Sequence, residues 1–170
     1  MTGRMPRSVD DFMACACAME AEAADRYAEL AELMAAHANR DVGGLFAKLA
    51  VIEGKHRDQI LEQMQWATAP SSHTFEWETP EAPETIDPGD LHYLMTPHHA
   101  LKLAEHNERR AVEFFERFVR ARLPAAVRKA AAEMAEEERE HVRMIQEWLA
   151  KMPPPERGWD DDPDPPNVAD

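Results

Sequence analysis

The chain has 170 residues, with Lys+Arg 19 against Asp+Glu 33 and a net charge of −14. That charge repels phosphate backbones and anionic membrane surfaces, which excludes nucleic acid and such membranes as partners. The length suits one domain with a substantial core, and no apolar run approaches the roughly 20 residues that a membrane-spanning helix needs.

Near the N-terminus, Arg4 and Arg7 precede the apolar run "FMACACAM", which superficially suits a signal peptide. Asp10 and Asp11 directly before that run, and the acidic helical sequence after it, read instead as the start of a helix. Ser8 is its cap, with Asp11 three residues on as the capping-box partner. The apolar stripe runs Phe12, Ala16, Met19, Ala23, Tyr27, Leu30 and Met34. Cys15 and Cys17 lie two apart on this helix, point in different directions and cannot bridge each other. They are either small packing residues in a reducing compartment, which implies a cytoplasmic protein, or thiols open to intermolecular chemistry.

The segment "HANRDVGG" ends the first helix, and Asp41 is the expected N-cap of a second that continues to about Trp66. Within it, "LAVIEGKHRDQI" belongs to a stripe of Leu45, Leu49, Ile52, His56, Ile60 and Gln63, and Glu53 sits one turn before His56. A proline-broken, acidic connection follows, spanning about residues 67–96. A connection of that length in a tight helical chain is expected where two consecutive helices run parallel and the chain must travel back along the bundle.

Thr96 and Pro97 supply a cap and first turn for the third helix, whose stripe is Leu101, Ala104, Glu108, Ala111, Phe115 and Phe118. Pro124 breaks that helix and opens the fourth, with Val127, Ala131, Met134, Glu138, His141, Ile145 and Trp148 inward. The fourth ends before Pro153–Pro155. The expected organisation is therefore all-α: a four-helix bundle over residues 1–152, made of two antiparallel hairpins and one long crossover, followed by a Pro/Asp-rich tail over 153–170. Trp159 in the tail is placed to dock on the bundle or on a neighbour.

The two hairpins repeat each other. "EAEAADRY" sets Glu20 before Ala23 and Tyr27, "ERRAVEFF" sets Glu108 before Ala111 and Phe115, and each precedes a Glu-x-x-His: Glu53/His56 and Glu138/His141. Four carboxylates and two imidazoles thus converge on the bundle centre. Left alone the carboxylates would repel and some would take up protons. Two divalent cations remove that cost, with two glutamates bridging and one histidine per ion. Oxygen-rich ligation suits iron or manganese better than zinc.

With these paired motifs the sequence closely resembles the ferritin-like dimetal carboxylate proteins, and within them the rubrerythrin/erythrin branch, over about residues 8–150. The resemblance implies a ferritin-like bundle and two metal ions, iron or alternatively manganese. Glu20 and Glu108 would be terminal carboxylates, Glu53 and Glu138 the bridging pair, and His56 and His141 the nitrogen ligands. It further implies a redox protein that reduces peroxide or oxidises ferrous iron with oxygen or peroxide, and a homodimer.

Two departures stand out. The four-cysteine rubredoxin-like domain of full-length rubrerythrins has no counterpart in Cys15 and Cys17, so electrons would come from an external donor, rubredoxin-like or other. The family's seventh carboxylate, one turn after the third-helix ligand, is Ala111 here, which puts efficient peroxide reduction in doubt.

Glu105 is either its substitute or an exposed, salt-bridging residue. Tyr27 either donates a hydrogen bond to a ligand carboxylate or simply packs in the core. Glu137 either reaches a ligand histidine or faces water. His98 and His99 are expected in solvent, and His37, His73, His92 and His106 show no partner in the sequence. Alternative functions on the same ligand set are an oxygen-activating hydroxylase, a manganese catalase, and iron storage, delivery or shell-associated cargo. A purely structural bundle is the remaining reading.

Overall fold

A computed structural model describes residues 5–68 and 84–162. Among these residues the chain forms four helices and no strand: α1 Val9–Ala36, α2 Arg40–Met64, α3 Pro97–Arg120 and α4 Ala125–Leu149. His73, the first part of the crossover and the end of the tail lie outside the described residues. The helices pack as two hairpins, α1 with α2 and α3 with α4, and the hairpins meet through α1 with α4 and α2 with α3. This is a ferritin-like four-helix bundle.

The helix ends follow from local chemistry. Ser8 Oγ accepts from the Asp11 N–H at 3.1 Å, and Asp11 Oδ2 accepts from the Arg7 N–H at 3.2 Å. Thr96 caps α3, with its N–H donating to His99 Nδ1 at 3.1 Å and Pro97 in the first turn. The cap of α2 differs from the expected Asp41: Asn39 takes that place, and its Oδ1 accepts from the Val42 N–H at 3.3 Å. The reason lies in how α1 ends. The Ala38 N–H bonds the Ala35 carbonyl and the Asn39 N–H bonds the Met34 carbonyl, a Schellman closure with Ala38 at φ 60°. That closure leaves Asn39 between the two helices, outside both, so the cap falls two residues earlier than Asp41. α2 ends the same way, with Gln65 at φ 55° and the Trp66 N–H on the Leu61 carbonyl, so the helix stops at Met64 rather than Trp66.

Inside the bundle, two apolar clusters flank a polar layer. One gathers Phe12, Met19, Ile60, Phe115, Phe118, Val127 and Met134, with Cys15 and Cys17 among them as buried free thiols. The other gathers Tyr27, Leu30, Met34, Phe46, Leu49, Leu101 and Ile145. Burying each large apolar side chain contributes about 1.5–3 kcal/mol, and together the two clusters fix the helices at both ends. The order of contributions along each helix shows that α2 and α3 run parallel, the reason for the long crossover. The buried face of α2 is turned slightly from the expected stripe. Val42, Phe46, Leu49, Glu53 and Ile60 are buried, Leu45 and Ile52 are half-buried, and Gln63 is exposed. Gly43 permits the close approach of α1 and α2, since a Cβ there would meet the Ala31 carbonyl oxygen at 3.1 Å.

The second part of the crossover is held to the bundle. A 3₁₀ turn covers Pro88–Asp90, and Ile86 and Met95 are buried in the second apolar cluster. Asn39 Nδ2 donates to the Tyr93 carbonyl at 3.1 Å and to the Met95 carbonyl at 2.8 Å. From the tail, Trp159 comes back onto this region, its ring 4.0 Å from that of His99 and 5.3 Å from that of His92. His98 and His99 are half-buried rather than in solvent, because the N-terminus of α3 lies under these segments.

One side chain therefore caps α2 and ties the crossover. Asn39→Ala removes the cap and leaves two carbonyls short of a donor. The expected loss is about 1–2 kcal/mol in denaturant unfolding, with faster hydrogen exchange at residues 93–96. A loss confined to the α2 N-terminus would show that the clasp adds nothing.

Candidate metal centre

Between the two apolar clusters, each helix contributes acid to one layer. Glu20 of α1, Glu53 of α2, Glu108 of α3 and Glu138 of α4 are all 0% exposed, and His141 is 6% exposed. The placement is dictated by the helices: each glutamate lies where its helix passes from one apolar cluster to the other, so its side chain has no route to water. His56, one turn after Glu53, is half-buried. The six residues singled out from the sequence are thus brought together.

One residue that sequence reasoning missed joins them. Glu84, in the crossover, is 1% exposed and faces the same layer. It sits in a proline-broken acidic stretch without helical periodicity, so no spacing rule could single it out from Glu78, Glu81 or its other neighbours.

The donors form overlapping groups whose ligand atoms lie within 4.8 Å of one another. Glu53, His56 and His141 make one; Glu53, Glu84, Glu108 and His141 a second; Glu20, Glu84 and Glu138 a third. Most of these atoms have no protein partner. Both carboxylate oxygens of Glu20, Glu53, Glu84 and Glu138, with Glu108 Oε1 and His56 Nδ1, are buried without a hydrogen bond. The bonds that do form centre on His141. Its Nδ1 is hydrogen-bonded to Glu108 Oε2 at 3.2 Å and its Nε2 to His56 Nε2 at 3.2 Å, while Glu138 Oε2 lies at ion-pair distance from Nδ1, 3.3 Å, without a hydrogen bond. For each imidazole to hold a separate ion, this hydrogen bond between the rings must break.

The electrostatics follow. Burial, and then the neighbouring carboxylates, holds Glu20 and Glu84 well above the usual carboxylate range. Glu53 is raised in the same way, by burial and Glu108, with His141 partly opposing. Burial carries Glu108 up to about 7 against the lowering effect of its hydrogen bond from His141. For His141 burial alone would lower the value, but the hydrogen bond to Glu108, the close approach of Glu138 and the charge of Glu53 carry it up to about 11. His141 is then an imidazolium at neutral pH, with Nδ1–H donating to Glu108 and Nε2–H to His56. His56 is held low by burial and by the charge of His141, which suits an acceptor.

The remaining candidates lie outside this donor set. Tyr27 is buried against Phe46, and its hydroxyl makes no hydrogen bond to a carboxylate. Burial and the charges of Glu108 and Glu53 raise it well above the ordinary phenol range. Glu105 is the salt-bridging alternative, not a spare donor: Lys102 Nζ at 2.7 Å, Arg109 at 2.9 Å and Gln146 Nε2 at 2.9 Å take its oxygens. These bonds, led by that from Lys102, bring it down to about 2 against the effect of burial. Glu137 is exposed, on the outer side of α4. Ala111 is fully buried and offers no donor.

A layer of partnerless carboxylate oxygens and two imidazoles fits hard or borderline divalent cations. Removing an ionised carboxylate from water costs several kcal/mol unless a charge or proton answers it. Cations answer it for the whole layer, and the donors present fit them.

Residues 11–147 match the family model described as Rubrerythrin. Among solved structures, an uncharacterized conserved protein from Magnetospirillum magnetotacticum MS-1 is similar to this chain at 38% identity and a TM-score of 0.61. The alignment covers 85% of this chain and 95% of that one. No curated protein matches.

The metal-free fold should respond to pH in a defined direction. Glu108 binds its proton more tightly folded (about 7) than unfolded (4.5), and so does His141 (about 11 against 6.5). Their stabilising contributions are complete at low pH and are lost as pH rises, from about 4.5 through 7 for Glu108 and from about 6.5 upward for His141. Glu105 has the opposite sign, and its contribution is lost only as pH falls from 4.5 through about 2. Thermal melts of the metal-stripped chain should therefore peak near pH 4.5–5 and decline toward pH 8. A maximum at pH 7–8 would contradict the proton assignments.

Proposed function

Because the chain belongs to the rubrerythrin family, we propose that it is a non-haem di-iron redox protein that reduces peroxide, or oxidises ferrous iron, at the buried Glu/His layer. The observation that carries this reading is the set of partnerless oxygens of Glu20, Glu53 and Glu138 at the level of His56 and His141. In it Glu20 and Glu108 would serve as the terminal carboxylates, Glu53 and Glu138 as the shared pair, and His56 and His141 would each supply a nitrogen donor to one ion.

A bound iron pair supplies two one-electron couples and open coordination positions at which oxygen or peroxide can be reduced. Reduction of hydrogen peroxide to two waters takes two electrons and two protons, so the couples match the stoichiometry and an external donor must restore them. The protein's own part is electrostatic and steric. The four helices fix the carboxylates in a layer closed to bulk water, where their charges act with little screening. His141 must surrender the proton it shares with Glu108 before it can ligate, so loading is accompanied by proton release. The apolar clusters above and below keep the donors from relaxing outward.

This reading extends to a cytoplasmic homodimer. The buried free thiols of Cys15 and Cys17 are in keeping with a reducing compartment, and burial pushes the Cys15 thiol up to about 12, which leaves it unreactive. No helix among the described residues is long and apolar enough to cross a membrane.

The test is elemental analysis of the purified chain, with absorption spectra of the reduced protein before and after peroxide. About two irons per chain and a new near-ultraviolet charge-transfer band on peroxide addition are the expected results. Two manganese ions would redirect the reading to catalase chemistry, and no metal after anaerobic iron loading would overturn it. In a paired experiment, Glu53→Gln should reduce loading to about one ion or none while the metal-free melting temperature stays the same or rises. A variant that loads normally would remove Glu53 from the ligand set.

A further inference from the structure

Glu84 has the environment of a ligand and no assigned role. Neither of its oxygens has a hydrogen-bond partner, although the residue is 1% exposed. Among the described residues it is the only one that stands both with Glu53, Glu108 and His141 and with Glu20 and Glu138, in each case with ligand atoms within 4.8 Å of one another. Its carboxylate therefore faces donors from all four helices.

The position is built rather than incidental. Asn107, 3% exposed on α3, donates through Nδ2 to the Glu84 carbonyl at 3.2 Å. The next residue, Glu108, faces the Glu84 side chain in the donor layer. Thr85 and Ile86 are buried directly after it, with Ile86 in the second apolar cluster. Two consecutive residues of α3 thus serve one crossover residue: one holds its backbone, the other meets its carboxylate. Neither Glu84 oxygen is answered by a hydrogen-bond donor, and a buried carboxylate without a partner is costly to keep.

We propose that Glu84 is a ligand of the metal pair, a fifth carboxylate delivered by the crossover and placed to reach either ion. The inference rests on the metal centre proposed above. Its chemistry is that of a hard oxygen donor for iron or manganese. Four carboxylates balance two divalent cations; a fifth adds one negative charge and favours the pair with a higher positive charge. The connection also carries a structural consequence. Because the donor is on the crossover, metal uptake ties residues 84–95 to the bundle core, a link that no helix-borne ligand would make.

The full-length chain and Glu84→Gln are stripped of metal and loaded anaerobically with ferrous ion. Uptake is measured by elemental analysis and by competition with a chromophoric chelator. Hydrogen exchange across residues 84–95 is followed with and without the ion. The substitution is expected to weaken uptake by at least about tenfold. It should also abolish the metal-dependent slowing of exchange that the unsubstituted chain shows over those residues. The metal-free melting temperature of Glu84→Gln should equal or exceed that of the unsubstituted chain. Asn107→Ala, which frees the Glu84 backbone but leaves every donor in place, should weaken uptake in the same direction. Equal affinity in Glu84→Gln and the unsubstituted chain, with unchanged exchange, would overturn the role of Glu84 and leave the metal centre standing. An unsubstituted chain that takes up no ferrous ion would overturn the centre itself, and this inference with it.

Discussion

Five carboxylates share the middle of a four-helix bundle with two imidazoles, and the cost of charge there sets the terms for everything around it. Glu20, Glu53, Glu84, Glu108 and Glu138 are all essentially inaccessible to water, and His141 holds ion-pair distance to three of them. Each ionised group there would cost several kcal/mol, a large part of the 5–15 kcal/mol by which a domain is usually stable. Such a layer survives only if protons or cations neutralise it. The metal-free arrangement takes the first route, through the raised affinity of Glu20, Glu53 and Glu84 for protons and the sharing of one between Glu108 and His141. A metal pair takes the second. The rest of the fold keeps these side chains in place while one solution is exchanged for the other.

That holding is divided between the two ends of the bundle. At one end interlocked rings, with Phe12 edge-on to Phe115 and Phe118 at 5.9 and 5.5 Å, make a stiff apolar plug. At the other, Tyr27, Phe46, Leu101 and Ile145 pack beneath the crossover, which adds Ile86 and Met95. Asn39 ties the crossover to the α1–α2 turn, and Trp159 of the tail closes over His99. The crossover and tail are therefore part of the structure around the donor layer, and Glu84 reaches that layer because its flanks are pinned.

Acidic residues of the same type have quite different fates within a few positions of one another. Glu105 and Glu108 are one turn apart on α3. The first leans toward Lys102, Arg109 and Gln146 and is brought down to about 2; the second turns inward and is carried up to about 7. Glu137 and Glu138 are adjacent on α4, yet one is exposed and the other is 0% exposed. Helical geometry alone separates them: a step of one residue rotates a side chain by about 100°, enough to move it from the seam to the surface.

The helices, their hairpin pairing, the parallel run of α2 and α3, and the convergence of six donors could be read from the chain, because each rests on a periodic signal or a connection length. Apolar stripes at three- and four-residue steps fix which face is buried. The repeated Glu-x-x-His on that face fixes what is buried with it. Finer features followed from contacts between segments far apart in sequence. Asn39 displaced Asp41 as a cap because the closure of α1 leaves it at the junction. The buried face of α2 turned from the line of Leu45, Ile52 and Gln63 toward Val42, Phe46 and Glu53, a rotation that the apolar spacing alone did not specify. Glu105 is held by Lys102 and Arg109 of its own helix, at spacings the sequence displays, and only its third partner, Gln146, comes from another helix. Glu84 belongs wholly to this second kind. An irregular acidic crossover has no period to mark one glutamate among several, and only the folded path, held by Asn107 and the buried Ile86, carries this carboxylate into the layer that the helices had already assembled.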